Sequence, residues 1–171
     1  MIHILQTEIN DKKIRSVITP LLWAVFIIYM AVLFYVTLLA WNYGASFGPQ
    51  GPGGRNYNLV PFRSIYRIAV FSPGLADPLR ILAGNIVLFI PFGFILGLLS
   101  RKKSRAILTI PVAAMLVSTF IEVNQFIFTH RVANVDDVIL NTLGALIGVI
   151  AAIFIGFLLR RVIWISVKNR Q

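Results

Sequence analysis

The chain contains no cysteine, and this absence excludes several kinds of chemistry at once. Without a thiol there is no disulfide framework, no thiolate nucleophile and no sulfur ligand for a metal ion. Histidine is nearly absent too, with two residues, and neither an HExxH motif nor a recognisable Ser–His–Asp spacing occurs. The sequence therefore offers no nucleophile constellation of a familiar hydrolase.

Charged residues are scarce, and acidic residues are the scarcest. Charged residues make up 13% of the 171 residues, with six acidic against sixteen basic side chains, while hydrophobic residues make up 58% and the mean hydropathy is +0.83. A water-soluble domain needs more polar surface, so this composition predicts an integral membrane protein. Basic anchors beside membrane spans and anionic headgroups explain the net charge of +10. No nucleic-acid motif is present, so no nucleic-acid partner is predicted.

Four long apolar runs predict an all-α integral membrane protein, a bundle of four transmembrane helices. The predicted spans are residues 18–41, 81–99, 106–128 and 138–159. The first run, of about 24 residues, is longer than the roughly 7–15 apolar residues of a signal peptide, so it is predicted to remain as a span. Residues 1–17 are the N-terminal segment and residues 166–171 the tail.

The loop between the first two spans contains an amphipathic stretch. Residues 42–58 are rich in Gly, Pro and Asn and predict irregular structure. In the next residues Phe62, Ile65, Tyr66 and Ala69 share one helical face, while Arg63 and Arg67 share another. This pattern predicts an interfacial segment, a short helix in the plane of the membrane surface.

The basic residues also predict the orientation of the spans. Eleven of the sixteen lie in the N-terminus, the 100–105 turn and the C-terminal residues 160–171, and five lie in the 42–80 loop and the 129–136 turn. Because short cytoplasmic segments carry an excess of Lys and Arg, both termini are predicted to be cytoplasmic. The first loop and the 129–136 turn then face outward.

The candidate site is the stretch from Glu122 to Gly148, which holds three of the six acidic residues. Ser118, Glu122 and Gln125 share a face of the third span, because residues three and four apart are neighbours on a helix. At about 1.5 Å per residue, Glu122 lies roughly 9 Å below the outer end of this span. A carboxylate at that depth faces the bundle interior or a cavity.

The neighbouring spans supply polar residues at a similar depth. Asp137 and Asn141 share a face at the start of the fourth span, and Asn85 lies near the start of the second. These faces are predicted to point at one another and to line a small pocket that opens outward. The candidate ligand-binding residues are Arg63, Asn85, Glu122, Gln125, Arg131, Asp136, Asp137 and Asn141, and the candidate general bases of an enzyme are Glu122 and Asp137.

Three segments resemble the VanZ-like family: NLVPFRSI, NIVLFIPFGFILG, and IEVNQFIF followed by an Arg and DDVILNTLGALIG. The resemblance covers roughly residues 56–150 and implies a VanZ-like membrane domain over residues 18–165. It also implies a bacterial cytoplasmic membrane location and a role like that of the family's named member, which is associated with low-level resistance to the glycopeptide teicoplanin. Where the family's turn often carries an acid, this chain has Asn134.

Structural roles compete with each of these assignments. Glu122 and Arg131 also suit an ion pair that ties the third span to its turn, and either Asp136 or Asn134 suits the cap of the fourth span. The carboxylates are of the type that Mg²⁺ or Ca²⁺ prefers, but their spacing matches no loop motif, so no metal or cofactor is predicted. His130 is interpreted as a solvated turn residue.

Three function classes remain open from the sequence. The first is a binding protein whose partners are membrane lipids and, as specific ligand, a lipid-linked wall precursor or a lipoglycopeptide. The second is a hydrolase or transferase that acts on an envelope lipid with Glu122 or Asp137 as general base. The third is a small transporter, which with four spans would act as an oligomer.

Overall fold

The computed structural model describes residues 2–40, 57–72, 74, 76, 79–128 and 132–168. For residues 2–15, 80 and 160–168 it describes the backbone only. Five α-helices are present in these ranges: α1 Ile2–Phe34, α2 Arg63–Phe71, α3 Gly84–Leu99, α4 Lys103–Phe128 and α5 Val135–Lys168. A π-helical turn, Tyr35–Leu39, ends α1, and a second one, Leu79–Ala83, leads into α3.

Four of these helices are long and apolar enough to cross a membrane. The candidate spans are Ser16–Leu39, Ile81–Leu99, Lys103–Phe128 and Val135–Leu159, with mean hydropathies of 2.5, 2.3, 2.0 and 2.6. At 19 to 26 residues, each is close to the roughly 20 residues that a hydrocarbon core of about 30 Å requires. The all-α fold with four membrane helices is confirmed, although the last span begins three residues earlier than the predicted position 138.

Helices α3 and α5 pack closely and run in the same direction. Gly144 and Gly148 of α5 lie against the backbone of Ile86 and Ile90 of α3, where an added Cβ would come within 2.1 Å of each carbonyl oxygen. Small residues allow this approach, which is how helices gain van der Waals contact in lipid. Small residues recur at every fourth position of α5 from Gly144, and this stripe is a contact face except at Gly156, where an added Cβ meets nothing within 4 Å.

The core lies between α3, α4 and α5, and α1 covers it from the side. Phe89 and Val149 are fully buried within it, and the buried core cluster also includes Leu33 of α1. The Tyr29 hydroxyl donates a hydrogen bond to the Leu88 carbonyl (2.8 Å), and Phe26 packs against Phe92. The outer faces of the spans carry exposed apolar side chains, as lipid-facing surfaces do.

Two segments that were predicted to be irregular form a small parallel pairing at one end of the bundle. Strand β1, Tyr57–Asn58, pairs with β2, Ala133–Asn134, in the register Tyr57 to Ala133. The pairing brings the end of the first loop to the turn between α4 and α5. Four residues separate β1 from helix α2, which begins in the stretch where a short helix is predicted, so α2 is held at the same end of the bundle.

Candidate functional site

Polar side chains from four segments meet at this end of the bundle. We call them the polar cluster, and its members are Asn58, Ser64, Glu122, Asn134, Asp136 and Asp137. They come from β1, the first turn of α2, the last two turns of α4, and the β2–α5 junction. Glu122 is 8% exposed and Asp136 1% exposed, while the other four members are half-buried.

Asn134 is the centre of the cluster. Its backbone N–H donates to Glu122 Oε2 (2.7 Å), and its side-chain Nδ2 donates to Asp137 Oδ1 (3.1 Å). Its Oδ1 accepts from the Asp136 N–H (3.2 Å), so Asn134 caps the N-terminus of α5. The same oxygen accepts from Asn58 Nδ2 (3.0 Å) and Ser64 Oγ (3.2 Å), which ties the first loop to the turn.

Asp136 anchors helix α2 rather than its own helix. Oδ1 accepts from the Phe62 N–H (2.5 Å), and Oδ2 accepts from the N–H groups of Ser64 (2.7 Å) and Ile65 (3.2 Å). A carboxylate at a helix N-terminus meets unpaired N–H groups and the positive end of the helix dipole. Both oxygens of Asp136 are therefore engaged by the backbone of α2.

The backbone just before α2 is shaped to make these bonds. Phe62 has φ 65° and ψ 0°, a left-handed conformation that is unusual for a bulky residue. A left-handed residue followed by helical residues turns successive N–H groups towards one point, which forms a concave anion site. In this protein the Asp136 carboxylate occupies that position, and its hydrogen bonds offset the strain at Phe62.

A second polar layer lies deeper in the bundle. Asn141 Nδ2 donates to Ser118 Oγ (2.8 Å), and both residues are buried. Asn141 Oδ1 is buried without a hydrogen-bond partner. Gln125 donates to the Thr37 carbonyl (2.8 Å), in the π-helical turn after α1. The predicted mutual facing of the third and fourth spans is thus confirmed at Ser118 and Asn141.

The remaining predicted site residues lie apart from the cluster or outside the description. Asn85 is half-buried near the start of α3, and its side chain makes no hydrogen bond to any residue that the structure describes. Arg63 is exposed on α2, next to the cluster member Ser64. His130 and Arg131 lie outside the described residues, so the predicted Glu122–Arg131 pair stays a prediction.

Sequence reasoning named Asn134 only as a possible helix cap and not as a site residue, and it missed two further members of the cluster, Asn58 and Ser64. They lie 76 and 70 residues from Asn134, to which they are bonded. No spacing rule connects positions so far apart. The position of Asn58 could have indicated a role in the site, since it is the polar residue that begins the family-like stretch NLVPFRSI.

The cluster provides oxygen acceptors in a partly buried position. Glu122 and Asp137 are the carboxylates that accept from Asn134 and not from the backbone of α2. Over the residues that the structure describes, no three His, Cys, Asp or Glu side chains are spaced to hold a metal ion. Carboxylates in this setting can accept hydrogen bonds from hydroxyl or amino groups of a ligand, or accept a proton.

These features define a class: a multi-pass membrane protein of four apolar helices with a carboxylate-rich cluster at one end of the bundle. The model of the VanZ/LLP1 family matches residues 26–159, more than three quarters of the chain, so this protein belongs to the VanZ/LLP1 family. The searches of curated proteins and of solved structures returned no match.

Proposed function

We propose that this protein is a cell-envelope component of the bacterial cytoplasmic membrane that lowers susceptibility to a glycopeptide such as teicoplanin. It does so by binding a lipid-linked wall precursor or a lipophilic glycopeptide at the polar cluster. Membership of the VanZ/LLP1 family supports the resistance role. One structural observation supports this location of the site. Every acidic side chain that the structure describes, namely Glu122, Asp136 and Asp137, lies in this single cluster.

The three carboxylates of the cluster make different contacts, and these contacts support a ligand-binding role for two of them. Asp136 accepts three backbone N–H groups and so serves the fold. Glu122 and Asp137 flank Asn134, and each accepts one of its hydrogen bonds. Their carboxylates are suited to the hydroxyl and amino groups that sugars and peptides of wall precursors present.

The charge distribution supports the outward orientation that this function needs. The polar cluster lies at the end of the bundle opposite the 100–105 turn, which contains four basic residues. If that turn is cytoplasmic, the cluster faces the outer leaflet, where wall precursors are exposed to glycopeptides. The proposal therefore includes an arrangement with both termini in the cytoplasm.

The proposal is tested by drug susceptibility of a sensitive Gram-positive host. The wild type, Glu122→Gln and Asp137→Asn are expressed at matched membrane levels, and inhibition by teicoplanin and vancomycin is measured side by side. We expect the wild type to raise the inhibitory concentration of teicoplanin and both variants to lose that protection. The two substitutions keep side-chain size and remove one charge each.

Lys102→Gln is the matched control, because it also neutralises one charge but lies exposed at the opposite end of the bundle. It is expected to protect as the wild type does. If the wild type changes the response to neither drug, the resistance role is wrong for this protein. If the wild type protects and the two cluster variants protect equally well, the role stands but the polar cluster is not its site.

A further inference from the structure

Helix α2 has three distinct faces. Ser64, Ile65 and Ile68 are half-buried and face the bundle. Phe62, Tyr66 and Val70 follow one another at helical spacing on an outward strip, and they are 61%, 62% and 53% exposed. Arg63 and Arg67 lie one turn apart on a third face, and both are exposed. An apolar strip beside a basic strip is the pattern of a helix that lies in a membrane interface.

The contact between Asp136 and α2 determines how deep α2 lies in the membrane. Asp136 belongs to the first turn of the span Val135–Leu159, and it holds the N–H groups at the start of α2. Because the end of a span lies at the boundary between hydrocarbon and headgroups, α2 lies at that boundary too. The outward strip can then enter the acyl region, while the two guanidinium groups remain at the level of the lipid phosphates.

Among the residues that the structure describes, the basic face has no counter-charge. Residues 57–72 contain no Asp or Glu, and neither arginine forms an ion pair or hydrogen bond with a described residue. An open cleft of about 520 Å³ adjoins this face, and Arg67, Ile68, Phe71 and Ser72 line it. A guanidinium beside an aromatic ring and a hydroxyl suits a phosphate with an apolar chain attached.

We propose that this face, formed by Arg63, Arg67 and the adjoining cleft, binds the phosphate headgroup of an anionic bilayer phospholipid. The apolar strip of Phe62, Tyr66 and Val70 inserts beside the acyl chains of the same leaflet. The site is separate from the polar cluster and does not depend on what the cluster binds. It fixes the α2 end of the bundle in the headgroup layer.

Native mass spectrometry of the full chain in detergent tests the proposal, with phosphatidylglycerol as the anionic probe and phosphatidylcholine as the zwitterionic one. We expect the wild type to retain phosphatidylglycerol in preference to phosphatidylcholine. Arg63→Gln with Arg67→Gln is expected to weaken the first phosphatidylglycerol site about tenfold. A factor of ten corresponds to about 1.4 kcal/mol.

Arg101→Gln with Arg105→Gln is the matched control, since both side chains are exposed and the pair removes the same charge from the other end of the bundle. It should keep the first phosphatidylglycerol site intact. Equal weakening in the two double variants, or none in the α2 pair, overturns the proposal. A polyprenyl pyrophosphate serves as a third probe. If the α2 double variant loses binding only of this probe, the proposal is also overturned, because the site would then serve a wall precursor. Unchanged thermal unfolding shows that the α2 variant is folded, and if it fails to accumulate, the single variants replace it.

Discussion

At the residue scale, the role of each polar residue at the start of α5 depends on which residues it contacts, and some of these lie far away in the chain. Asp136 and Asp137 are adjacent and chemically identical, yet one binds the backbone of α2 and the other binds the side chain of Asn134. Successive helical residues point about 100° apart, so they reach different neighbours. The Asn134 side chain, which departs from the family's usual acid, supplies the amide N–H₂ that joins Asp137 to the cluster.

Asp136→Asn is predicted to destabilise the protein and to loosen α2. An amide has one acceptor oxygen, so at least one of the three N–H groups that Asp136 now binds would face an N–H₂ group instead. Leaving a buried donor unpaired costs about 1–3 kcal/mol. The unfolding temperature in detergent should fall, and hydrogen exchange at the amides of Ser64 and Ile65 should become faster.

Asp137→Asn is the control for this prediction, because it removes one charge from the next position without touching the α2 backbone bonds. It should leave exchange at Ser64 and Ile65 near the wild-type rate. Faster exchange of equal size in both variants would show that charge loss at this turn, and not the Asp136 contact, holds α2 in place.

At the element scale, the α3–α5 contact depends on the absence of side chains. Gly93 lies so close to the α5 backbone that an added Cβ would be 1.8 Å from the Ala145 carbonyl oxygen. The same holds in the reverse direction for Gly144 and Gly148 against α3. Backbone atoms cannot move aside as a flexible side chain can, so a methyl group at any of these positions forces the helices apart.

Gly148→Ala is therefore predicted to lower the free energy of unfolding, by about 1–3 kcal/mol for overpacking a close contact. The measurement is the unfolding transition in detergent. Gly156→Ala is the matched control on the same helix, since a Cβ there meets nothing within 4 Å. It should be neutral or slightly stabilising, because alanine is favoured over glycine in a helix by about 1 kcal/mol. Equal destabilisation by both substitutions would mean that the close contact contributes little.

At the scale of the whole molecule, orientation places the polar cluster on one side of the membrane. The uneven distribution of basic residues predicts that this side is the outer one, with the 100–105 turn in the cytoplasm. The 100–105 turn and the α2 segment lie at opposite ends of the bundle, so one labelling experiment on each decides the arrangement.

The absence of cysteine makes this experiment direct, because a single introduced thiol is the only one present. Gly74→Cys, just after α2, is predicted to react with a membrane-impermeant maleimide on intact cells. Lys102→Cys is predicted to react only after the cells are permeabilised. Both native residues are exposed, so access to the thiol depends on the side of the membrane. The reverse pattern would place the polar cluster at the cytoplasmic face and would contradict the proposed function.

The sequence by itself determined the membrane class and the four spans, since the length and hydropathy of an apolar run are local properties. It also determined which residues share a helical face, and so anticipated that Ser118 would face Asn141. Only the tertiary structure decided that Asp136 anchors α2, that Asn58 and Ser64 join the cluster, and that Asn85 makes no hydrogen bond with it. Those outcomes depend on contacts between segments about 70 residues apart, which the packing of glycine faces and the β1–β2 pairing bring together.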